Sequence, residues 1–332
     1  MATVITNLLS AIPIFGHDLV ESNDIIELIN YKYNENITCL RSETLNIDIL
    51  NICTLQTIGT VSLHASKKGK KIDFKEYLSI PYSFLAFFAG LIDGDGYIQI
   101  TKTTKGYIQI KLVISIHLND LSTIEYIYSV LNLGKIKIDR DKRCPTCKFI
   151  INKTDLQEII FPLFKHHNIF FLTDKRRAQY DKAIFILQQN VKMFDTISNV
   201  NNIPIVYLLP PTSEDYINLT FFKNWIVGFT VAEGSFLIKN NNEACYQLKQ
   251  QIHENLFKAI KLIFETNRNI YTEKGLYFQF SVSSKKDIQT VINFFSFSGL
   301  HPLVGLKSIQ YLKWLDNLSQ SFRYKYLHFP VY

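Results

Sequence analysis

Glycine is sparse in this chain of 332 residues, with 13 copies, and methionine and tryptophan occur twice each. Tyr, Phe, Asn, Ile and Lys are abundant instead. Their codons are A/T-rich, which points to an A/T-rich genome such as an organelle's. Cysteine is also scarce. Five copies, an odd number in no dense pattern, exclude a disulfide scaffold and point to a reduced compartment. No apolar stretch reaches the roughly 18 residues of a membrane span, so a membrane subunit is not expected. No Arg-rich, acid-poor import segment opens the chain. Acidic residues are outnumbered, and the net charge of +7 favours a polyanionic partner.

The chain is long enough for about two domains, and one piece of text recurs at that scale. Residues 84–96 end in Gly90-Leu91-Ile92-Asp93-Gly94-Asp95-Gly96. Residues 222–234 end in Gly228-Phe229-Thr230-Val231-Ala232-Glu233-Gly234. Gly90 and Gly228, Asp95 and Glu233, and Gly96 and Gly234 share a single offset of 138 (233 − 95). Each copy is an apolar run fit for a buried helix. Ala86, Gly90 and Gly94, like Gly228 and Ala232, lie four apart, which makes one small-residue face where two helix backbones can approach. Glycine inside a helix costs about 0.5–1 kcal/mol relative to alanine, so its matched repetition implies a packing need.

After each motif the pattern changes to period two. Residues 97–102 and 107–111 alternate as strands, 120–131 read as a helix, 135–138 and 148–151 as strands, and 154–164 as a helix. Strands at 235–239 and 244–251, a helix at 254–264, a strand at 276–283 and a helix at 286–295 repeat the order. The reading is an α+β protein of two pseudo-symmetric αββαββα repeats, at 79–189 and 218–332, joined by a linker at 190–217 with Pro204, Pro210 and Pro211. Residues 22–78 read as an extension, and the cluster Lys67-Lys68-Gly69-Lys70-Lys71 as a solvated linker able to touch phosphates. A Lys ahead of a Gln-Tyr pair closes each half, Lys175 before Gln179-Tyr180 and Lys307 before Gln310-Tyr311. Together they place one candidate cation near each carboxylate. Cys144-Pro145-Thr146-Cys147 has half a zinc-knuckle spacing, but with no second pair nearby it reads as a turn.

Asp95 and Glu233 fall at helix C-termini, where unpaired carbonyls already carry negative charge. Two acids and two sets of carbonyls make an oxygen-rich pocket suited to hard cations, Mg²⁺ above all, and to metal-assisted phosphodiester hydrolysis.

These motifs resemble those of the LAGLIDADG homing endonucleases in the monomeric two-repeat form. Phe88-Ala89-Gly90-Leu91-Ile92-Asp93-Gly94-Asp95-Gly96 nearly spells the family's name, and the likeness covers roughly 80–332. It implies antiparallel sheets forming a saddle in the DNA major groove, with Mg²⁺ as cofactor. Asp95 and Glu233 match the metal-binding acids, and the Gly94 and Ala232 carbonyls match further metal ligands. Lys175 and Lys307 match the basic residues of the catalytic centre. Gln250 sits near a position that orders water, with His117 as its approximate counterpart. Asp93, opposite Val231, is structural. Gln99, Thr101, Lys102, Gln109, Lys111, Lys239, Gln247 and Lys249 would contact DNA. Residues 1–21, MATVITNLLSAIPIFGHDLVE, resemble cytochrome b, as if an exon were read into an intron's reading frame. The resemblance therefore implies a mitochondrially encoded matrix monomer that cuts double-stranded DNA at the intronless cytochrome b site in intron homing. It also leaves open an RNA maturase that helps its own group I intron to splice, with or without cutting.

Overall fold

A computed structural model describes residues 74–331 apart from 142, 199, 201 and 252. The cytochrome b-like segment, Cys39, Cys53 and the lysine cluster at 67–71 lie outside the described residues.

The first motif forms helix α1 (Tyr82–Asp95) and the second forms α5 (Phe222–Glu233). Both are apolar on nearly every side, as a helix buried all round must be. Phe84 to Asp93 are all buried in α1, and Phe222 and Trp225 to Val231 in α5. The two helices pack on each other, and the packing is reciprocal. A Cβ on Gly90 would lie 2.0 Å from the Trp225 carbonyl oxygen, and one on Gly228 would lie 1.8 Å from that of Phe87. Trp225 and Phe87 are themselves equivalent in the repeat, so a pseudo-twofold axis runs between the helices. Only glycine permits this approach.

Each acid ends its helix, and a strand begins at the following glycine. In the first half, β1 (Gly96–Lys102), β2 (Ile108–His117), β3 (Lys135–Asp139) and β4 (Thr146–Asn152) form an antiparallel sheet of order β1-β2-β4-β3. In the second, β5 (Gly234–Ile238), β6 (Ala244–Gln251), β7 (Tyr271–Glu273) and β8 (Tyr277–Val282) repeat it as β5-β6-β8-β7. Strand β7, three residues long, is absent from the sequence reading, because so short a run shows no period. Alternate residues such as Ile98, Ile110, Leu112 and Ile114 are buried against the helices, leaving the other face free.

Helix α2 (Leu121–Leu131) covers the first sheet. A segment from Lys153 continues through a π-helical turn, Leu156–Ile160, into α3 (Phe161–His166), and α4 (Asp174–Gln188) closes the half. Helices α6 (Glu254–Ile263), α7 (Lys285–Ser296) and α8 (Gly305–Gln320) do the same in the second. The linker is not free chain. It holds short helices at Phe194–Ser198 and Ser213–Ile217, and Met193 pairs with Tyr107 of the first hairpin. Among the described residues no helix is long and apolar enough to cross a membrane.

Candidate metal centre and nucleic-acid interface

Asp93 shows how the axis is held. Its carboxylate is buried and accepts from the Leu172 amide at 2.7 Å, the Thr173 amide at 3.2 Å, the Thr173 hydroxyl at 2.6 Å and Trp225 Nε1 at 2.8 Å. It thus joins α1 to the start of α4 and to the other half's motif helix. Burial pushes its carboxyl up to about 6, against four donors that favour the charged form. Every acceptor position is spent on the fold, which is what a structural role requires.

Two residues on, Asp95 and Glu233 stand at the ends of the crossed helices, and both carboxyls are raised above their ordinary range. Burial is the main cause for each. For Glu233 the charge of Asp95 comes next, so the two acids repel one another across the axis. Gln250 Nε2 donates to Glu233 Oε1 at 2.7 Å.

Each acid meets cations from both halves, Arg176 and Lys307. Lys307, on α8 of the second half, exerts the largest favourable charge effect on Asp95 of the first. Arg176, on α4 of the first half, shares a cleft with Glu233 of the second. That cleft is also lined by Lys175, Gln250 and His253. The sequence reading places one cation near each carboxylate, and spacing within a repeat says nothing about which half's acid a helix end faces.

It also placed the first cation one residue early. Arg176 stands where Lys307 stands in the repeat, three residues before Gln179 as Lys307 is before Gln310. Arg176 Nε donates to the Ile92 carbonyl at 3.1 Å and Nη2 to that of Gly94 at 3.4 Å. Lys307 Nζ donates to the Gly234 carbonyl and to Gln310 Oε1. Lys175 is exposed at the cleft's rim. One residue along a helix is a turn of about 100°, enough to exchange the inward residue for the outward one.

His117 is likewise displaced. Gly96 pairs with Ile114 and Gly234 with Leu248, so the equivalent of Gln250 is Ile116, not His117. The His117 ring is exposed, and its Nδ1 accepts from the Asn119 amide.

Gly94 and Ala232 immediately precede the acids at the helix ends, where carbonyls lack helical partners. Two carboxylates that repel one another, with carbonyl oxygens at the helix ends beside them, fit a hard divalent cation. Among the described residues no group of three or more His, Cys, Asp or Glu could hold a metal. An ion here would take its remaining oxygens from backbone, water and phosphate, as Mg²⁺ commonly does.

On the free face of the first sheet, Gln99 lies opposite Lys111 and Thr101 opposite Gln109. Lys148 and Lys137 pair on the same face, and Lys135 lies opposite Ile150. These three lysines were missed as contacts, although the alternation Lys135-Ile136-Lys137-Ile138 carries the signal. Lys102 was assigned to this face and belongs to the other one. It pairs with Ile108, and its ammonium is 2.8 Å from Asp195 of the linker. In the second half Gln247 faces Ser281 and Lys249 faces Gln279, with the Lys249 ammonium bound to Glu273. Lys239 sits in the β5–β6 turn. Cys144 is exposed in the β3–β4 connection and Cys147 is buried in β4, both as free thiols.

Residues 88–187 and 226–318 both match the model of the LAGLIDADG endonuclease family. A protein of Dictyostelium citrinum named "Probable intron-encoded endonuclease aI3" is 25% identical over 232 residues, 68% of this chain and 91% of its own length. Proteins of the same name from Kluyveromyces lactis and Debaryomyces hansenii are each 22% identical, over 68% and 74% of this chain. The match spans 63% and 38% of their lengths, less than two thirds in both. Among solved structures, I-SmaMI bound to uncleaved DNA with calcium ions superposes with a TM-score of 0.53 at 17% identity, covering 71% of this chain and 90% of that one. The I-LtrWI homing endonuclease bound to target DNA gives 0.54 at 17% identity, covering 70% and 88%.

Proposed function

Since the chain belongs to the LAGLIDADG endonuclease family, we propose that it is a mitochondrial, intron-encoded endonuclease that cuts both strands of DNA at one site with the help of Mg²⁺. The observation that carries this reading is the pair of acids at the crossed helix ends, flanked by one cation from each half, Arg176 and Lys307.

Asp95 and Glu233, with the Gly94 and Ala232 carbonyls, would hold the metal. Mg²⁺ there supplies charge neutralisation of the phosphate and activation of a water. Arg176 and Lys307 add positive charge beside the same phosphates and offset the charge that builds up during bond breaking. Gln250 fixes the Glu233 carboxylate in one orientation. The free sheet faces, through Gln99, Thr101, Gln109, Lys111, Lys135, Lys137 and Lys148 in the first half and Gln247 and Lys249 in the second, face base edges and phosphates. One monomer suffices, because both acids lie in one chain.

The target we propose is the intronless cytochrome b coding sequence near the codon for Glu21, where the likeness of residues 1–21 to cytochrome b stops. A duplex spanning that junction, incubated with purified protein and Mg²⁺, should be cut in both strands, and EDTA should prevent it. Intact DNA over a wide range of protein concentrations rejects cutting at this site. The same exon continuity favours a second activity, assistance to splicing of its own group I intron. Splicing of the precursor RNA at equal rates with and without the protein rejects that part.

A further inference from the structure

The two acids are not served alike. By strand register, Gln250 and Ile116 hold equivalent places, each two residues beyond the partner of the motif glycine. Gln250 bonds the Glu233 carboxylate at 2.7 Å. Ile116 packs half buried against the apolar core and offers no polar group. Asp95 therefore lacks the carboxamide that orients Glu233.

Charge differs in the same direction. Beside Glu233 the cleft holds Arg176 and Lys175. Beside Asp95 stands Lys307, and Asp120 stands there too. Asp120 Oδ1 accepts from the Leu306 amide at 2.8 Å, one residue from Lys307, and from the Thr123 hydroxyl at 2.8 Å. Lys307 and Arg176 act on both acids, but a phosphate approaching Asp95 also meets the extra carboxyl of Asp120, whose repulsion opposes it.

We propose that the two centres work at unequal rates, the Glu233 centre cutting its strand first and the Asp95 centre following, so that nicked DNA accumulates. Gln250 is the positioning residue of the faster centre, and Ile116 leaves the slower centre without one. The inference rests on the endonuclease reading. Each cut adds one water across one P–O bond and leaves a phosphate monoester and a hydroxyl, so the duplex consumes two waters in sequence.

The test is strand-resolved cleavage of the junction duplex, each strand carrying its own end label. The parent should cut one strand about 10-fold or more faster, the size of effect expected from a group that orients a metal ligand. Gln250→Leu should slow the faster strand, and Ile116→Gln should quicken the slower one. Calcium titration of the uncut complex by calorimetry gives a readout independent of cutting. Gln250→Leu should weaken ion binding and Ile116→Gln should tighten it. Melting and DNA affinity in EDTA verify that each variant folds. Equal strand rates in the parent overturn the inference, as does a bias that neither variant changes. Failure to cut either the junction or any duplex from a partly randomised pool overturns the endonuclease reading itself, and the inference falls with it.

Discussion

The free face of the first sheet presents Lys111, Lys135, Lys137 and Lys148. The strands of the second present Lys249 alone among cations, and Glu273 neutralises it. The buried sides of the two sheets do not diverge in this way. They repeat the same strand order, the same glycine register and the same reciprocal helix crossing. The contrast follows from what each surface must satisfy. A residue at the crossing has backbone within 2 Å of where a side chain would go, so substitution there is blocked. A residue on the open face meets solvent, and only a partner constrains it. Duplication thus preserves the axis and lets the contact faces drift, as an asymmetric DNA site would require.

The comparison can be broken most severely at the axis. Gly90→Val or Gly228→Val would push a side chain into a backbone carbonyl that cannot rotate away. The loss should exceed the usual overpacking cost of about 1–3 kcal/mol. Chemical denaturation checks it, and equal losses in both variants would uphold the pseudo-symmetry.

Asp93 has no counterpart, since Val231 takes its place. Asp93→Leu strands the Leu172 and Thr173 amides and the Trp225 indole N–H, and should cost about 3 kcal/mol. Val231→Asp should give no matching gain.

A smaller asymmetry is pH-dependent. His301 of the second half stacks on Phe87 at 4.0 Å, with its ring bonded to the Tyr126 hydroxyl and the Pro302 carbonyl. Burial lowers its pKa from 6.5 to about 4. The folded pKa lies below the unfolded one, so the unfolded chain takes the proton first. This contribution is intact above about 6.5 and is lost as the pH falls toward 4, by about 2 kcal/mol between pH 7 and pH 5. Melting curves should show that His301→Phe removes this component.

The smallest effects lie on the sheet faces. Lys148→Ala should reduce the salt dependence of DNA binding by about one phosphate contact, a change of ~0.9 in the log–log slope, and Lys137→Ala by the same. Lys249→Ala, already paired with Glu273, should change it less. Anisotropy titrations across a salt series measure all three.

Much of this was legible in the sequence for physical reasons. Helical glycines repeated at one offset announce a close crossing, because nothing else justifies their cost. Period-two runs announce strands, because the pleat sorts residues by parity. The errors came where one residue of phase decides the outcome. Lys102 fell on the wrong face by parity, Lys175 took the place of Arg176 by one step around a helix, and His117 took that of Ile116 by one step along a strand. That Lys307 and Arg176 each act on both acids could not be read at all, because it depends on how the halves meet.

The central claim, that Asp95 and Glu233 are the metal-binding acids on which cleavage depends, is tested most directly by Asp95→Asn and Glu233→Gln assayed side by side on the junction duplex. DNA binding should be measured in parallel. Both variants should bind DNA within about threefold of the parent yet lose cutting by on the order of 10³-fold. Cleavage by either variant at the parental rate would contradict the account.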